Sequence, residues 1–285
     1  MATPSVFVGL VSHTESHFYE NQGPAGLTAR LVGTFEEVGF DCTSQINTRN
    51  FFNEAEFPLT PKMARESVRA EIKLESKWFR FLEGKNHCRN SSRIFSRKLQ
   101  FLLSWRQNSG TSELRRLLNI EYSHIDLYRA AIASGSDWSV ILEDDAFATD
   151  PGQVALSLQS FFKLENAPKF INLSESFSLE ELGIWHLFTE SPHHYWAGTP
   201  ARVVYQSERP ATNTVCAIAF RTDFLKQIVA DFDSQPTQPV LPIDWKLNAT
   251  LMRLFENGEV RVNECLFVEP APVVQLSMVR DREAN

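Results

Sequence analysis

Two hydrophobic patterns alternate along residues 6–46, and this alternation constrains the fold more than any other feature of the sequence. Val6 to Val11 is an apolar run between polar residues, which is typical of a short buried strand. Leu27 to Val38 carries apolar residues at helical spacing, and Gly39 follows as a helix terminator. Phe40 to Ile46 is strand-like again. This is the length of a βαβ unit, so we expect the two strands to be parallel.

The same two patterns continue through the rest of the chain. Strands are predicted at residues 138–142, 169–173, 215–220 and 260–267, and helices within 61–116 and at 113–134, 222–229 and 244–255. No repeat, low-complexity segment or obvious linker separates them. We therefore predict an α/β fold with a mostly parallel central sheet flanked by helices, in one domain spanning residues 1–285, with residues 61–108 as a helical insertion.

Charge is distributed unevenly along the sequence. The net charge of −7 argues against nucleic acid as a partner, yet residues 73–116 carry eleven Lys/Arg and three Glu. Within this segment, Arg89, Arg93 and Arg97 form one stripe on a predicted helix, near aromatic surface expected from Trp78, Phe79, Phe81 and Trp105. The stripe is either an ordinary solvated helix face or a surface for an anionic acceptor or the membrane that carries it.

Cysteine usage and hydropathy indicate a cytoplasmic protein, with peripheral contact at the inner face of the membrane left open. The four cysteines are far apart and form no Cys-x-x-Cys pair, and the two in apolar strand-like runs are expected to be buried free thiols. The N-terminus lacks a basic region and a long apolar run of the signal-peptide type, and no apolar stretch approaches the roughly 20 residues of a membrane span.

Three consecutive carboxylates follow the predicted strand at residues 138–142: Glu143, Asp144 and Asp145. Their mutual repulsion next to a buried strand raises pKa values or demands a cation. Strand alternation places Glu143 and Asp145 on one side and Asp144 on the other. Two oxygen ligands on one side suit Mg²⁺ or Mn²⁺, hard ions that bridge to a diphosphate. The alternative is an acidic turn that caps the next helix through Asp150.

The residues around this cluster resemble those of a known family. Tyr122-Ser123-His124-Ile125, a helix, and then Leu142-Glu143-Asp144-Asp145 are similar to the family-25-type glycosyltransferases, which include bacterial lipooligosaccharide galactosyltransferases and collagen galactosyltransferases. The resemblance continues in order through Cys216 to Arg221, Pro242-Ile243-Asp244 and Pro272 to Gln275. It covers residues 113–277, whereas the first hundred residues match only in their order of strands and helices.

The resemblance implies a GT-A-like fold and an inverting transfer of a hexose, galactose or glucose, from a nucleotide-diphosphate sugar such as a UDP-sugar. The acceptor would be a glycan or a lipid-linked glycan. Mn²⁺ or Mg²⁺ on Glu143 and Asp145 would neutralise the leaving diphosphate, with Asp144 assigned to the donor-binding surface. Asp244, presented at a helix start behind Pro242, would deprotonate the acceptor hydroxyl, although an acid in a helix's first turn also needs no catalytic role.

Further polar residues are weaker candidates for donor binding. Asn47, Arg49 and Asn50 follow the second strand and are interpreted as nucleoside contacts, or as ordinary loop polarity. Ser123 and His124 either reach the site or pack within their helix. Two other functional classes stay open: a metal-dependent phosphohydrolase or nucleotidyltransferase, and a non-catalytic sugar-binding relative.

Overall fold

The computed structural model describes residues 4–12, 26–48, 55–84, 95–96, 99, 110–164, 167–175, 178–197, 200–235 and 239–277. The strands found there are β1 Ser5–Val11, β2 Asp41–Asn47, β3 Trp138–Glu143, β4 Ala146–Phe147, β5 Phe170–Asn172, β6 Ser174–Glu175, β7 Phe188–Glu190, β8 Val203–Ser207, β9 Ala217–Arg221, β10 Cys265–Glu269 and β11 Val273–Gln275. The α-helices are α1 Leu27–Glu37, α2 Pro61–Glu83, α3 Thr111–Ser134, α4 Pro151–Phe162, α5 Thr222–Asp233 and α6 Ile243–Glu256.

Eight of these strands form one large sheet in the order β2-β1-β3-β9-β5-β10-β8-β7, and β4-β11-β6 form a small second sheet. The predicted parallel pairing of β1 and β2 is confirmed, with Ser5 opposite Asp41 and Val11 opposite Asn47. The expectation of a mostly parallel sheet is not confirmed. Pairs β1–β3 and β5–β10 are also parallel, but β3–β9, β5–β9, β8–β10 and β7–β8 are antiparallel. The fold is therefore α/β with a mixed sheet flanked by helices.

The alternation of side chains along the strands explains why helices cover both faces of the large sheet. On β1, Val6, Val8 and Leu10 pack with α1 and α4, whereas Phe7 and Val11 pack with α3, α5 and α6. A strand that is apolar on both faces must be covered on both, which matches the nearly continuous apolar run from Val6 to Val11.

Helix α2 confirms helical structure at the start of the predicted insertion. Thr60 caps it by accepting a hydrogen bond from the Met63 backbone N–H at 3.3 Å, and Pro61 occupies its first turn. The expectation that its aromatic residues form a surface is wrong, because Trp78, Phe79 and Phe81 are at most 9% exposed. They pack in a third core with residues that include Leu179, Leu182, Phe188 and Met252.

Several predictions about this region and the chain as a whole are left open. Trp105 and the Arg89, Arg93 and Arg97 stripe lie outside the described residues. Assignment of residues 1–285 to a single domain stays a prediction. Among the described helices, none combines the length and apolarity needed to cross a membrane.

Alanine substitutions at two glycines would test how tightly the large sheet and its helices are packed. A Cβ added at Gly9 on β1 would lie 2.9 Å from Phe7 Cε1 and 3.0 Å from Ile141 Cδ1, so Gly9→Ala should destabilise the fold by about 1–3 kcal/mol. Gly33 in α1 has no atom within 4 Å of such a Cβ, so Gly33→Ala should stabilise by roughly 0.5–1 kcal/mol. Urea unfolding of both variants measures the difference, and equal effects would contradict the packing of β1 on β3.

Candidate functional site

The acidic cluster lies at the carboxyl ends of two parallel strands. Val11 is opposite Glu143 in the β1–β3 pairing, so Ser12 comes next to the turn that follows β3. The Ser12 hydroxyl donates to Asp144 Oδ2 at 2.6 Å. On the other side of β3, the Glu143 backbone N–H donates to the carbonyl of Cys216 at 2.8 Å. Because β3 lies between β1 and β9 in the large sheet, the start of the acidic cluster is held from both sides.

Glu143 receives a hydrogen bond on each carboxylate oxygen. His124 Nε2 lies 3.1 Å from Oε1, and Gln275 Nε2 donates to Oε2 at 3.4 Å. An ionised carboxylate only accepts, so in this pair the donor would be a protonated His124 Nε2. His124 is fully buried on α3, next to Tyr128. Both interpretations of His124 therefore hold. The ring packs within the helix layer, and it also reaches the acidic cluster.

Asp145 is more deeply buried than Glu143 and is held by different donors. The Ser277 hydroxyl donates to Oδ2 at 2.5 Å, and the Cys216 thiol donates to Oδ1 at 3.7 Å. Burial raises the pKa of Asp145, and the nearby charge of Glu143 raises it further, while hydrogen bonds from Ser277 and Gln275 act in the opposite direction. A cation at this position would favour the ionised carboxyl.

Glu143, Asp145 and Cys216 form a group that can hold a metal ion, since one ligand atom of each lies within 4.8 Å of the others. The two carboxylates suit a hard ion such as Mn²⁺ or Mg²⁺. Burial, followed by the charges of Asp145 and Glu143, raises the pKa of Cys216 well above its ordinary value. A thiol that stays protonated fits a supporting role as donor to Asp145 better than coordination of a hard ion.

Asp244 lies in the first turn of α6, directly after Pro242 and Ile243. It lines a cavity of about 340 Å³. Burial raises the pKa of Asp244 to about 6, opposed by a hydrogen bond from the Trp245 backbone N–H and assisted by the charges of Glu71 and Glu143. The charge of Glu143 acts on the pKa of Asp244, so these two carboxyl groups, 101 residues apart in the sequence, lie within electrostatic range of each other.

The other predicted donor-binding residues divide into two groups. Asn47 and Ser123 are buried, and the Asn47 amide donates to the Ser123 carbonyl at 3.3 Å and to Asp126 Oδ2 at 3.4 Å. These contacts join the end of β2 to α3, so the structure gives both residues a role in packing. Arg49 and Asn50 lie outside the described residues.

Sequence reasoning did not assign Ser12, Cys216 or Ser277 to the site. Cys216 was expected to be a buried free thiol, which it is, but nothing in its local sequence shows that it faces Asp145. That contact follows from the antiparallel pairing of β3 with β9, in which Leu142 is opposite Ala217. The expected cap at Asp150 is also present, since its side chain accepts from the Gln153 backbone N–H at 3.0 Å, so an N-cap and the acidic cluster coexist.

Comparison of the chain with protein-family models and with curated proteins finds no match to either. The resemblance to family-25-type glycosyltransferases stays a prediction that rests on the motifs.

The raised pKa of Asp244 predicts an unusual effect on stability. The folded protein binds the Asp244 proton more tightly than the unfolded chain, whose aspartates titrate near about 3.9. Stability contributed by this group is therefore present at low pH and is lost as pH rises toward about 6. Asp244→Asn should raise the free energy of unfolding by roughly 1–3 kcal/mol at about pH 8, and by little at about pH 4.

Urea unfolding at both pH values measures this effect, with Asp231→Asn as the matched control. Although burial alone raises the pKa of Asp231, hydrogen bonds from Arg253 and Thr250 outweigh it and lower the pKa. The control should consequently lose stability at neutral pH. A destabilised Asp244→Asn at about pH 8 would show that the Asp244 carboxylate has a stabilising partner.

Proposed function

We propose that this chain is a metal-dependent inverting glycosyltransferase with a GT-A-like fold. It transfers a hexose, galactose or glucose, from a nucleotide-diphosphate sugar, with UDP as the expected nucleotide, to a glycan or glycoconjugate acceptor. The observation that carries the proposal is the meeting of two distant motifs. The Leu-Glu-Asp-Asp sequence at the end of β3 and the Pro-x-Asp sequence at the start of α6 supply carboxyl groups that interact electrostatically. An inverting transfer needs both groups, one near the leaving diphosphate and one near the acceptor hydroxyl.

The chain's own residues supply the positioning that such a reaction requires. His124 and Gln275 fix the two oxygens of Glu143, and Ser277 and Cys216 fix those of Asp145. Carboxylates that ligate metals are typically held in place by further hydrogen bonds, so this arrangement supports a role as metal ligands. When bound there, Mn²⁺ or Mg²⁺ would neutralise negative charge on the diphosphate leaving group.

Asp244 has the properties of a general base at neutral pH. With a pKa of about 6, its carboxyl is mostly ionised in neutral solution and still binds a proton more readily than an ordinary aspartate. Pro242 at the helix N-cap restricts the backbone that leads to it. In the proposed reaction, an acceptor hydroxyl in the cavity transfers its proton to the Asp244 carboxylate as its oxygen attacks the sugar's anomeric carbon. The bond from that carbon to the diphosphate oxygen breaks, and the nucleoside diphosphate leaves with the bonding electrons.

The affinity for UDP, measured without turnover, tests the proposed metal ligands. Calorimetry of UDP in the presence of Mn²⁺ should show at least about tenfold weaker affinity in Asp145→Asn, and the same loss when a chelator is added to the wild type. Asp150→Asn is the matched control, because Asn caps a helix as well as Asp does and should leave UDP affinity unchanged. UDP affinity that is independent of both the chelator and Asp145 would remove the metal from the proposal.

A second prediction concerns the base. In Asp244→Asn, kcat for acceptor-dependent UDP release from UDP-galactose or UDP-glucose should fall by about 10²–10⁴-fold, while UDP affinity stays close to that of the wild type. Wild-type kcat/KM should rise with pH through about 6, since only the ionised carboxylate accepts a proton.

Asp231→Asn, at a residue that accepts from Arg253 and does not line the cavity, should leave this acidic limb of the pH profile in place. If Asp244→Asn costs less than about tenfold in kcat, or keeps the limb, general-base catalysis belongs to another group. Release of UDP or phosphate without any acceptor would instead favour a phosphohydrolase.

A further inference from the structure

The cavity beside Asp244 is formed largely by two helices that are far apart in the sequence. Helix α2 contributes Glu71, Glu75, Trp78 and Phe79, and the segment around the start of α6 contributes Pro242, Asp244, Trp245 and Asn248. The Ser67 hydroxyl donates to the Val240 carbonyl at 2.6 Å, which ties α2 to the segment that precedes Asp244. A volume of about 340 Å³ lies within the usual range of roughly 300–1,000 Å³ for small-molecule sites.

One part of the cavity wall is aromatic and rigid. Trp78 and Phe79 are 2% and 1% exposed, so their positions are fixed by the surrounding core. Trp245 is only partly buried, and its ring meets Trp78 edge to face, with centroids 5.5 Å apart and planes at 85°. This geometry is a favourable one for aromatic pairs and holds the Trp245 ring in place. A flat, fixed aromatic ring suits the apolar C–H face of a pyranose.

The charged groups in the described part of the wall are all hydrogen-bond acceptors. Three carboxylates line the cavity, and the Asn248 side chain is already engaged on both sides. Its Oδ1 accepts from the Thr212 backbone N–H at 2.9 Å, and its Nδ2 donates to the Thr212 carbonyl at 2.8 Å. Acceptors of this kind match hydroxyl groups, which bring donors with them.

Charge on the described lining also discriminates between classes of ligand. Three of the described residues that line the cavity are acidic, and none of these described lining residues is Lys, Arg or His. A phosphate, diphosphate or uronic acid placed here would lie against these carboxylates, and like charges repel. The nucleotide diphosphate is therefore assigned to the Glu143 and Asp145 side, where the proposed metal ion would neutralise it, and the cavity is left for an uncharged part of the substrate.

From these observations we infer that the cavity binds an uncharged hexopyranose, the terminal sugar of the acceptor glycan. The inference rests on the proposed function, in which Asp244 receives the proton of an acceptor hydroxyl. The Trp245 ring contacts the C–H face of this sugar, and its hydroxyls donate to the carboxylates from α2. One hydroxyl then lies next to Asp244.

Ligand-observed NMR with simple glycosides tests the inference without requiring turnover. The wild-type protein, saturated with UDP and Mn²⁺, is titrated with methyl galactoside, methyl glucoside and methyl glucuronide. We expect at least one uncharged glycoside to bind and the glucuronide to bind at least about tenfold more weakly. Trp245→Leu should weaken the uncharged glycoside by about tenfold, and Trp245→Phe, which keeps an aromatic face, by less.

Trp185→Leu is the matched control, since Trp185 is 42% exposed, packs against Tyr205 and does not line the cavity. It should leave glycoside affinity unchanged. UDP affinity in every variant separates this inference from the proposed function. Normal UDP binding with no glycoside bound, or with glycoside affinity indifferent to Trp245, overturns the saccharide cavity alone. If the wild-type protein does not bind UDP, the proposed function is overturned as well.

Discussion

Two carboxylates at the end of a central, buried strand would normally weaken a fold, and much of this structure is arranged around them. Their desolvation is offset in part by donors from separate parts of the chain: His124 from α3, Gln275 from β11, Ser277 just beyond it, and Cys216 before β9. Hydrogen bonds to a charged acceptor contribute more than neutral ones, roughly 1.5–3 kcal/mol each. Gln275 and Ser277 thereby attach residues 273–277 to the centre of the large sheet, and several elements contact one another at the acidic cluster.

The elements could be predicted largely from the sequence, because each has a local cause. The apolar run from Val6 to Val11 predicts a strand covered on both faces. The spacing of Leu27, Leu31 and Phe35 predicts a helix with one buried side. Strand order has no such local signal. β9 lies between β3 and β5 and is antiparallel to both, which made the sheet mixed. An apolar strand such as Ala217–Arg221 has the same pattern in either direction, so only tertiary packing decides its direction.

The candidate site shows the same division between local and long-range causes. Glu143 and Asp145 could be predicted as a pair from their position after a strand. Cys216 could not, since its role depends on the register between β3 and β9. Trp78 and Phe79 were misinterpreted because a basic, amphipathic segment gives no indication of what its apolar face contacts. That face packs into the core beside α6 and leaves Trp78 and Phe79 in the wall of a cavity.

The electrostatic interaction between Glu143 and Asp244 links the two halves of the proposed site. Negative charge on Glu143 is one of the causes that raise the pKa of Asp244, with burial as the largest. Positive charge bound at Glu143 would remove that contribution, so Asp244 would release its proton more readily once the metal side of the site is filled. Burial alone would still hold the pKa of Asp244 above that of an exposed aspartate, and its capacity as a base would persist. In the proposed reaction, the free-energy cost of keeping this carboxylate partly buried would therefore lie at the group that removes the acceptor proton.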